Sequence, residues 1–128
     1  RPWVWMGLPS LLFGAAHYLN GFGPADAVLY ALWATLLGLA CADLTARTGN
    51  IGAAIGLHLS NNLFAFLIVG EKGTPSSGLV LFLYPATDHS QFDCGLHTLA
   101  KPWIIPEMLT ITLLIGVMWL AARVALRR

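Results

Sequence analysis

The sequence predicts an all-α, polytopic transmembrane helix bundle, with about four spanning helices and a polar loop before the last of them. Hydrophobic residues make up 57% of the chain and charged residues only 10%, whereas about a quarter of an ordinary soluble domain is charged. Four apolar stretches recur, each close to the ~20 residues that cross a bilayer as a helix. Because 128 residues hold at most about four spans beside their loops, we expect a single transmembrane helical domain, residues 1–128.

The first two apolar stretches run from Pro2 to Leu19 and from Ala27 to Ala42. The segment between them, Asn20–Pro24, contains two glycines and a proline, which is typical of a turn. Asp26 follows this turn just before the second stretch. We therefore expect its carboxylate to cap the second helix.

The third apolar stretch, Ile51–Val69, follows Asn50, whose side chain we expect to cap the third helix. The fourth runs from about Met108 to Ala122. Residues 70–107 between them gather charged and turn-forming residues around one short apolar run, Leu79–Tyr84. This run is too short to cross a bilayer as a helix, so it is expected to be an interfacial or re-entrant piece of a water-facing loop.

Basic residues fall unevenly on the two sides of this four-span arrangement. One side carries Arg1, Arg47, Arg123, Arg127 and Arg128, and the other carries Lys72 and Lys101. Since basic residues favour the cytoplasmic side, both chain ends are expected in the cytoplasm. The net charge is only +1 and no basic cluster is interleaved with aromatic residues, so nucleic acid is not an expected partner.

Two of the four spans carry polar side chains, although an unpaired polar group in hydrocarbon costs on the order of several kcal/mol. His17 lies near the end of the first span, and His58, Asn61 and Asn62 lie in the third. His58 and Asn62 are four residues apart and therefore share one helix face. Phe13 and His17 have the same spacing, so the first span also presents a histidine on a defined face.

Helix packing is expected to bring these groups together. Gly52 and Gly56 form a Gly-x-x-x-Gly spacing, which allows a neighbouring helix to approach closely and would bring His58 within reach of another span. If Arg1 and Arg47 lie at the same depth at the starts of two parallel helices, His17 on the first and His58 on the second would differ by about 8 Å in depth. Tilt of the helices can absorb such an offset.

Two interpretations of these polar groups are open on spacing alone. Histidine and asparagine within spans often serve as hydrogen-bond links between helices, worth about 0.6 to 2 kcal/mol each. Ionisable groups at membrane depth are also functional candidates. Histidine can transfer a proton near neutral pH, and asparagine can donate to a developing oxyanion, so a shared reaction site fits both residue types.

The residues Leu12–His17 resemble the Phe-x-x-x-His motif of the CAAX prenyl endopeptidase and bacteriocin-processing family of intramembrane proteases. Residues Arg47–Asn62 resemble its second signature, a His-x-x-x-Asn motif preceded by Arg-Thr-Gly. The resemblance covers about half of the chain, Pro2–Val69. It implies an intramembrane peptidase, metalloendopeptidase-like, in an integral membrane location such as the inner membrane of a bacterium.

The resemblance also implies roles for individual residues. His17 would position or activate water, while His58 and Asn62 would stabilise the oxyanion or hold a metal. Zinc, with His17 and His58 as ligands, is the ion expected if any is bound, but two histidines and an asparagine are an unusual zinc set, and no cofactor is firmly expected. The implied partners are membrane lipid and a peptide or prenylated protein, cleaved at a peptide bond.

The chain departs from the family pattern in one respect. Family members carry a Glu-Glu-x-x-x-Arg motif on an earlier helix, and its glutamate is thought to activate water. The only glutamates here, Glu71 and Glu107, follow both histidine motifs. We therefore expect the motif to lie upstream of Arg1, with residues 1–128 an inactive fragment of a larger protease domain. The alternatives are a non-catalytic membrane scaffold or bacteriocin-immunity-type protein of the same fold, and a haem-binding bundle with His17 and His58 as axial ligands.

Overall fold

The computed structural model describes residue 1 and residues 3–73, 78–86 and 95–127. Four α-helices dominate these residues. They are α1 (Leu8–His17), α2 (Pro24–Thr48), α3 (Gly52–Leu63) and α4 (Ile104–Ala125). π-helical turns extend α1 at its start (Trp3–Gly7) and α3 at its end (Phe64–Ile68), and short 3-10 turns span Tyr18–Asn20 and Leu96–Ala100.

Each of the four predicted apolar stretches coincides with one of these helices, and α2 and α4 extend beyond their stretches at both ends, so the mostly helical architecture is confirmed. Two helices, Pro24–Thr48 and Ile104–Ala125, are long and apolar enough to cross a membrane, with mean hydropathies of 1.8 and 2.0. Residues Gly52–Ile68 form a shorter apolar helix. The number of spans therefore stays a prediction beyond these two.

Local capping chemistry sets the ends of the helices around the first long one. Pro24 occupies the first turn of α2, and the left-handed backbone of Gly49 (φ 72°) ends it. Asn50 as the N-cap of α3 was a wrong prediction, because Ile51 occupies that position; Asn50 precedes the cap, and its Oδ1 atom accepts a hydrogen bond of 2.9 Å from the Gly52 backbone N–H. Asp26 as the cap of α2 was a wrong prediction: Pro24 begins the helix earlier, and the Asp26 carboxylate instead reaches back to the Phe22 N–H at 2.9 Å.

The helices alternate in direction around α2. α1 runs antiparallel to α2, because Ser10 lies against Gly38 while Gly14 lies against Thr35. α3 follows α2 through a tight turn and runs back along it, whereas α4 runs parallel to α2: its first turns line a cavity with the start of α2, and Trp119 near its end donates to Asp43 near the end of α2. α1 and α3 are therefore parallel, as the estimate of the depth offset between His17 and His58 assumed. Among the described residues, one end of the bundle carries four arginines, Arg1, Arg47, Arg123 and Arg127.

α2 is the central helix of this bundle. Its side chains form most of the buried core, which consists of Leu37, Ala40 and Leu44 together with Leu57 of α3 and Ile115 of α4. The closest helix approach is between α1 and α2, where a Cβ atom on Gly14 would overlap Thr35 and lie 2.5 Å from the Ala31 carbonyl oxygen. Helix backbones approach this closely only where side chains are small.

The close approach predicted at Gly52 and Gly56 is wrong. A Cβ atom on Gly56 would meet nothing within 4 Å, and one on Gly52 would meet only the Asn50 side chain. The cause is the rotation of α3 about its own axis. Leu57, next to Gly56, is the residue of α3 that enters the core. Gly56 therefore lines an open groove between α3 and α4.

The chain also contains a small sheet, which the all-α prediction did not include. Strand β1 (Val69–Glu71) pairs in parallel with β2 (Phe82–Tyr84), with Val69 opposite Phe82 and Glu71 opposite Tyr84. The second half of the short apolar run is thus the strand β2, which is paired with β1 along one edge. Residues 74–77 and 87–94 of the predicted polar loop lie outside the described residues.

Candidate functional site

His17 is the last residue of α1, and its ring is held by its own helix. The Nδ1 atom lies 2.8 Å from the Phe13 carbonyl oxygen, so Nδ1–H is the donor. The ring centroid lies 4.4 Å from that of Phe13 and 6.5 Å from that of Trp33 on α2. In the neutral ring the other nitrogen, Nε2, is therefore an acceptor, and it has no hydrogen-bond partner among the residues that the structure describes.

His58 and Asn62 form a hydrogen-bonded pair on α3. The Asn62 Nδ2 atom lies 3.3 Å from His58 Nε2, and Asn61 Nδ2 donates to Asn62 Oδ1 at 3.3 Å. Since the amide nitrogen is a donor, Nε2 of neutral His58 accepts, and its proton is on Nδ1. Asn61 thus supports Asn62 by a hydrogen bond.

Phe13 connects the two histidines. Its ring lies 4.4 Å from the His17 ring and 5.3 Å, in a perpendicular arrangement, from the His58 ring, measured between centroids. His58 therefore lies beside Phe13, one helical turn away from His17, which agrees with the depth offset expected from the sequence. The first and third helices do bring these residues into one neighbourhood, with the Phe13 ring as the shared contact.

A groove of about 400 Å³ runs along α1, α2 and α3 and reaches His58. Its walls are mostly apolar and are lined by Trp5, Pro9, Ser10, Phe13, Gly38, Cys41, Ala42, Thr45, Ala54 and Ile55 in addition to His58. His17 and Asn62 are not part of this lining. They adjoin the groove indirectly, through the Phe13 ring and through the hydrogen bond to His58.

The described donors do not make up a zinc site. Catalytic zinc usually takes three protein ligands, and the described ranges contain no group of three or more His, Cys, Asp or Glu side chains placed to hold a metal ion. His58 also directs its Nε2 lone pair to the Asn62 amide, and both imidazoles pack on Phe13 rather than on each other.

A second cavity adjoins the site on its other side. It has a volume of about 290 Å³ and is lined by Asp26, Leu29, Tyr30, Trp33, Asn61, Phe64, Ala65, Glu107 and Ile111. Trp33 and Asn61 separate this cavity from His17 and Asn62. Trp33 was not predicted as a neighbour of the site, although the spacing of Trp33 from Asp26 and Tyr30 places all three residues on one face of α2.

Comparison with protein-family models identifies a family that this chain matches. The family model described as type II CAAX prenyl endopeptidase Rce1-like matches residues 1–64, which is half of the chain and includes His17, His58 and Asn62. No curated protein and no solved structure matches the chain significantly. The matched half is the half that contains α1, α2, α3 and the groove.

Proposed function

Because this chain belongs to the type II CAAX prenyl endopeptidase Rce1-like family, a family of membrane proteases, we propose that it is an intramembrane endopeptidase with His17, His58 and Asn62 at its reaction centre. The proposed substrate is a membrane-associated or prenylated peptide, cleaved by hydrolysis of one peptide bond. The observation that carries the proposal is the hydrogen-bonded His58–Asn62 pair, which adjoins His17 through Phe13.

His17 is proposed to orient the attacking water and accept a proton from it. Its Nδ1–H is held by the Phe13 carbonyl oxygen, so the ring presents Nε2 as the basic nitrogen. A histidine with one nitrogen fixed by a hydrogen bond keeps both its tautomer and its orientation, which is the arrangement used in general base catalysis. The expected contribution is about 10² to 10⁴ in rate.

His58 and Asn62 are proposed to stabilise the oxyanion of the tetrahedral intermediate. The Asn62 amide uses one N–H on His58 Nε2 and has a second N–H to donate. His58 has its Nδ1–H to donate from the neutral ring. Two donors already oriented by a shared hydrogen bond need little reorganisation as negative charge develops, and one such donor is worth about 10² to 10³ in kcat.

The groove beside His58 is proposed to receive the apolar part of the substrate. Its walls are mostly apolar, and its volume of about 400 Å³ lies in the range of ligand sites. Burial of a lipid-like chain there would supply affinity through the hydrophobic effect. The scissile peptide bond would then lie at the His58 end, beside the polar donors.

The experiment compares cleavage of a fluorogenic prenylated peptide by membranes that carry the full-length gene product and its variants. His58→Ala should lower kcat about 10² to 10³-fold with a small change in KM, as expected for a group used mainly in the transition state. Asn62→Ala should act in the same direction but more mildly. Ser60→Ala is the matched control, because Ser60 Oγ donates only to the Leu57 carbonyl of its own helix.

Two outcomes would overturn the proposal. Unimpaired cleavage by the His58→Ala variant would mean that other residues perform the reaction. No cleavage by a correctly inserted full-length protein would favour the non-catalytic scaffold. Residues 1–128 alone are expected to be inactive, because His17 is proposed to act on the water together with the glutamate of the family's Glu-Glu motif, and these residues contain no Glu-Glu pair.

A further inference from the structure

An open groove runs along one edge of the contact between α2 and α4, and it shares no lining residue with the groove beside His58. It has a volume of about 350 Å³ and is lined by Leu36, Leu39, Ala40, Asp43, Thr112, Ile115, Gly116 and Trp119. Apart from Asp43 and Thr112 its walls are apolar or aromatic. A Cβ atom on Gly116 would meet nothing within 4 Å, so neither helix fills the groove at its centre.

The Asp43 carboxylate closes one end of this groove. Its Oδ2 atom accepts hydrogen bonds from Trp119 Nε1 at 2.8 Å and from Arg47 Nε at 2.7 Å. The carboxylate therefore has partners from both helices. The Arg47 side chain is 39% exposed, so its guanidinium lies at the surface beside the groove.

Further positive charge gathers at the same end. The Arg123 guanidinium lies over the Trp119 ring, 4.6 Å from its centroid. Arg127 follows one turn later at the end of α4 and is exposed. Arg47 and Arg123 thus flank Asp43, which is the only acidic residue at this end of the bundle among the residues that the structure describes.

We propose that the α2–α4 groove binds an anionic phospholipid, with an acyl chain along its apolar walls and the phosphate between Arg47 and Arg123. Basic pockets between membrane helices recognise anionic headgroups, and guanidinium groups suit the oxygens of a phosphate. Both helices are long and apolar enough to cross a membrane, so this end of the groove lies where headgroups would be. The inference is independent of the proteolytic chemistry, because none of its residues belongs to the reaction centre.

The test measures lipid binding to the purified full-length gene product in neutral detergent. Phosphatidylglycerol and phosphatidylcholine with identical acyl chains are titrated separately, and bound lipid and melting temperature are recorded. Phosphatidylglycerol should bind about 30-fold more tightly, since its headgroup has a net negative charge that the choline of phosphatidylcholine cancels, and each of the two arginines contributes about fivefold to binding an anionic headgroup. It should also raise the melting temperature, because it binds the folded state.

Variants separate the headgroup contact from the acyl contact. Arg123→Gln should reduce phosphatidylglycerol binding about fivefold. Lys101→Gln is the matched control, because Lys101 lies over the Trp103 ring at 5.6 Å near the opposite end of α4. Gly116→Leu changes no charge but fills the groove, so it should weaken binding of phosphatidylglycerol without unfolding the protein.

Several outcomes would overturn the proposal. These are equal binding of the two lipids, equal losses in Arg123→Gln and Lys101→Gln, or unchanged binding in Gly116→Leu. Inorganic phosphate is a further arm. If phosphate alone raised the melting temperature as much as the lipid does, the site would be a simple anion site without an acyl chain, and the groove would have no part in it.

Discussion

α1 and α4 pack against the same helix, α2, in different ways. α1 approaches so closely that a Cβ atom on Gly14 would overlap Thr35. α4 leaves an open groove and is joined to α2 near one end by the hydrogen bond from Trp119 to Asp43. The two long helices have similar mean hydropathies, yet 33% of the apolar window of α2 is buried inside the bundle against 6% of that of α4.

The difference shows that hydropathy does not determine how a membrane helix packs. α2 presents alanines and one glycine to α1, and small residues permit close backbone contact. α4 presents large apolar side chains, such as Leu113 and Val117, that stay exposed and are suited to lipid. A reaction site needs accurately placed side chains, so we expect it beside the closely packed helix α1. A lipid needs an open groove, so we expect it to bind beside α4.

The largest expected difference between the α1 side and the α4 side is in catalytic activity, measured after one substitution on each side. His17→Ala should lower kcat for prenylated peptide cleavage by about 10² to 10⁴-fold, because it removes the proposed proton acceptor. Gly116→Ala in α4 should leave kcat unchanged within about twofold, because its Cβ atom meets nothing. Equal losses from the two variants would show that the reaction does not depend more on the α1 side than on α4.

The second prediction concerns packing. Gly14→Ala forces α1 away from the Ala31 carbonyl oxygen and should destabilise the bundle by about 1 to 3 kcal/mol, as overpacking does. Gly116→Ala should be neutral or stabilising by up to about 1 kcal/mol, because alanine is the better helix former. Thermal unfolding of both variants in detergent checks this. A Gly14→Ala protein as stable as wild type would contradict the close approach.

The link between α4 and α2 is expected to be weaker. Trp119→Phe removes the indole N–H that donates to Asp43 and should lower the free energy of unfolding by about 0.5 to 1.5 kcal/mol. Arg47 still donates to the carboxylate, which limits the loss. The same unfolding measurement applies, and kcat should stay unchanged. A large loss of kcat in this variant would mean that α4 positions the site.

The smallest expected effect lies within the site. Asn61→Ala removes a long hydrogen bond of 3.3 Å to Asn62 Oδ1 and should lower kcat by about two- to threefold. Steady-state kinetics beside the Asn62→Ala variant gives the comparison. A loss as large as that of Asn62→Ala would assign Asn61 a direct part in the reaction.

The sequence predicted those features that depend on local spacing. The positions of the helices follow from runs of apolar residues, and the contact of Asn62 with His58 follows from a separation of four residues on one helix. The gathering of arginines at one end also follows from counting residues between turns. In each case the cause lies within one helix or at its ends.

Features that depend on how helices rotate against each other were not predictable in this way. The sequence pointed to Gly52 and Gly56 as a close contact, but the rotation of α3 directs Leu57 into the core and leaves both glycines open. Trp119 and Asp43 are 76 residues apart, and no spacing rule connects them. The pairing of β1 with β2 likewise depends on a contact between segments that periodicity does not relate.

The most direct test of the central claim is a double-mutant cycle between His17 and His58 in the full-length gene product. The claim is that the close packing of α1 and α3 around α2 makes the two histidines, which share Phe13 as a neighbour, one reaction centre. Residues that act as a unit show non-additive losses. We therefore expect the double alanine variant to lose little more kcat than the more impaired single variant. Losses that multiply would contradict the claim, because they would mean that the two histidines act independently.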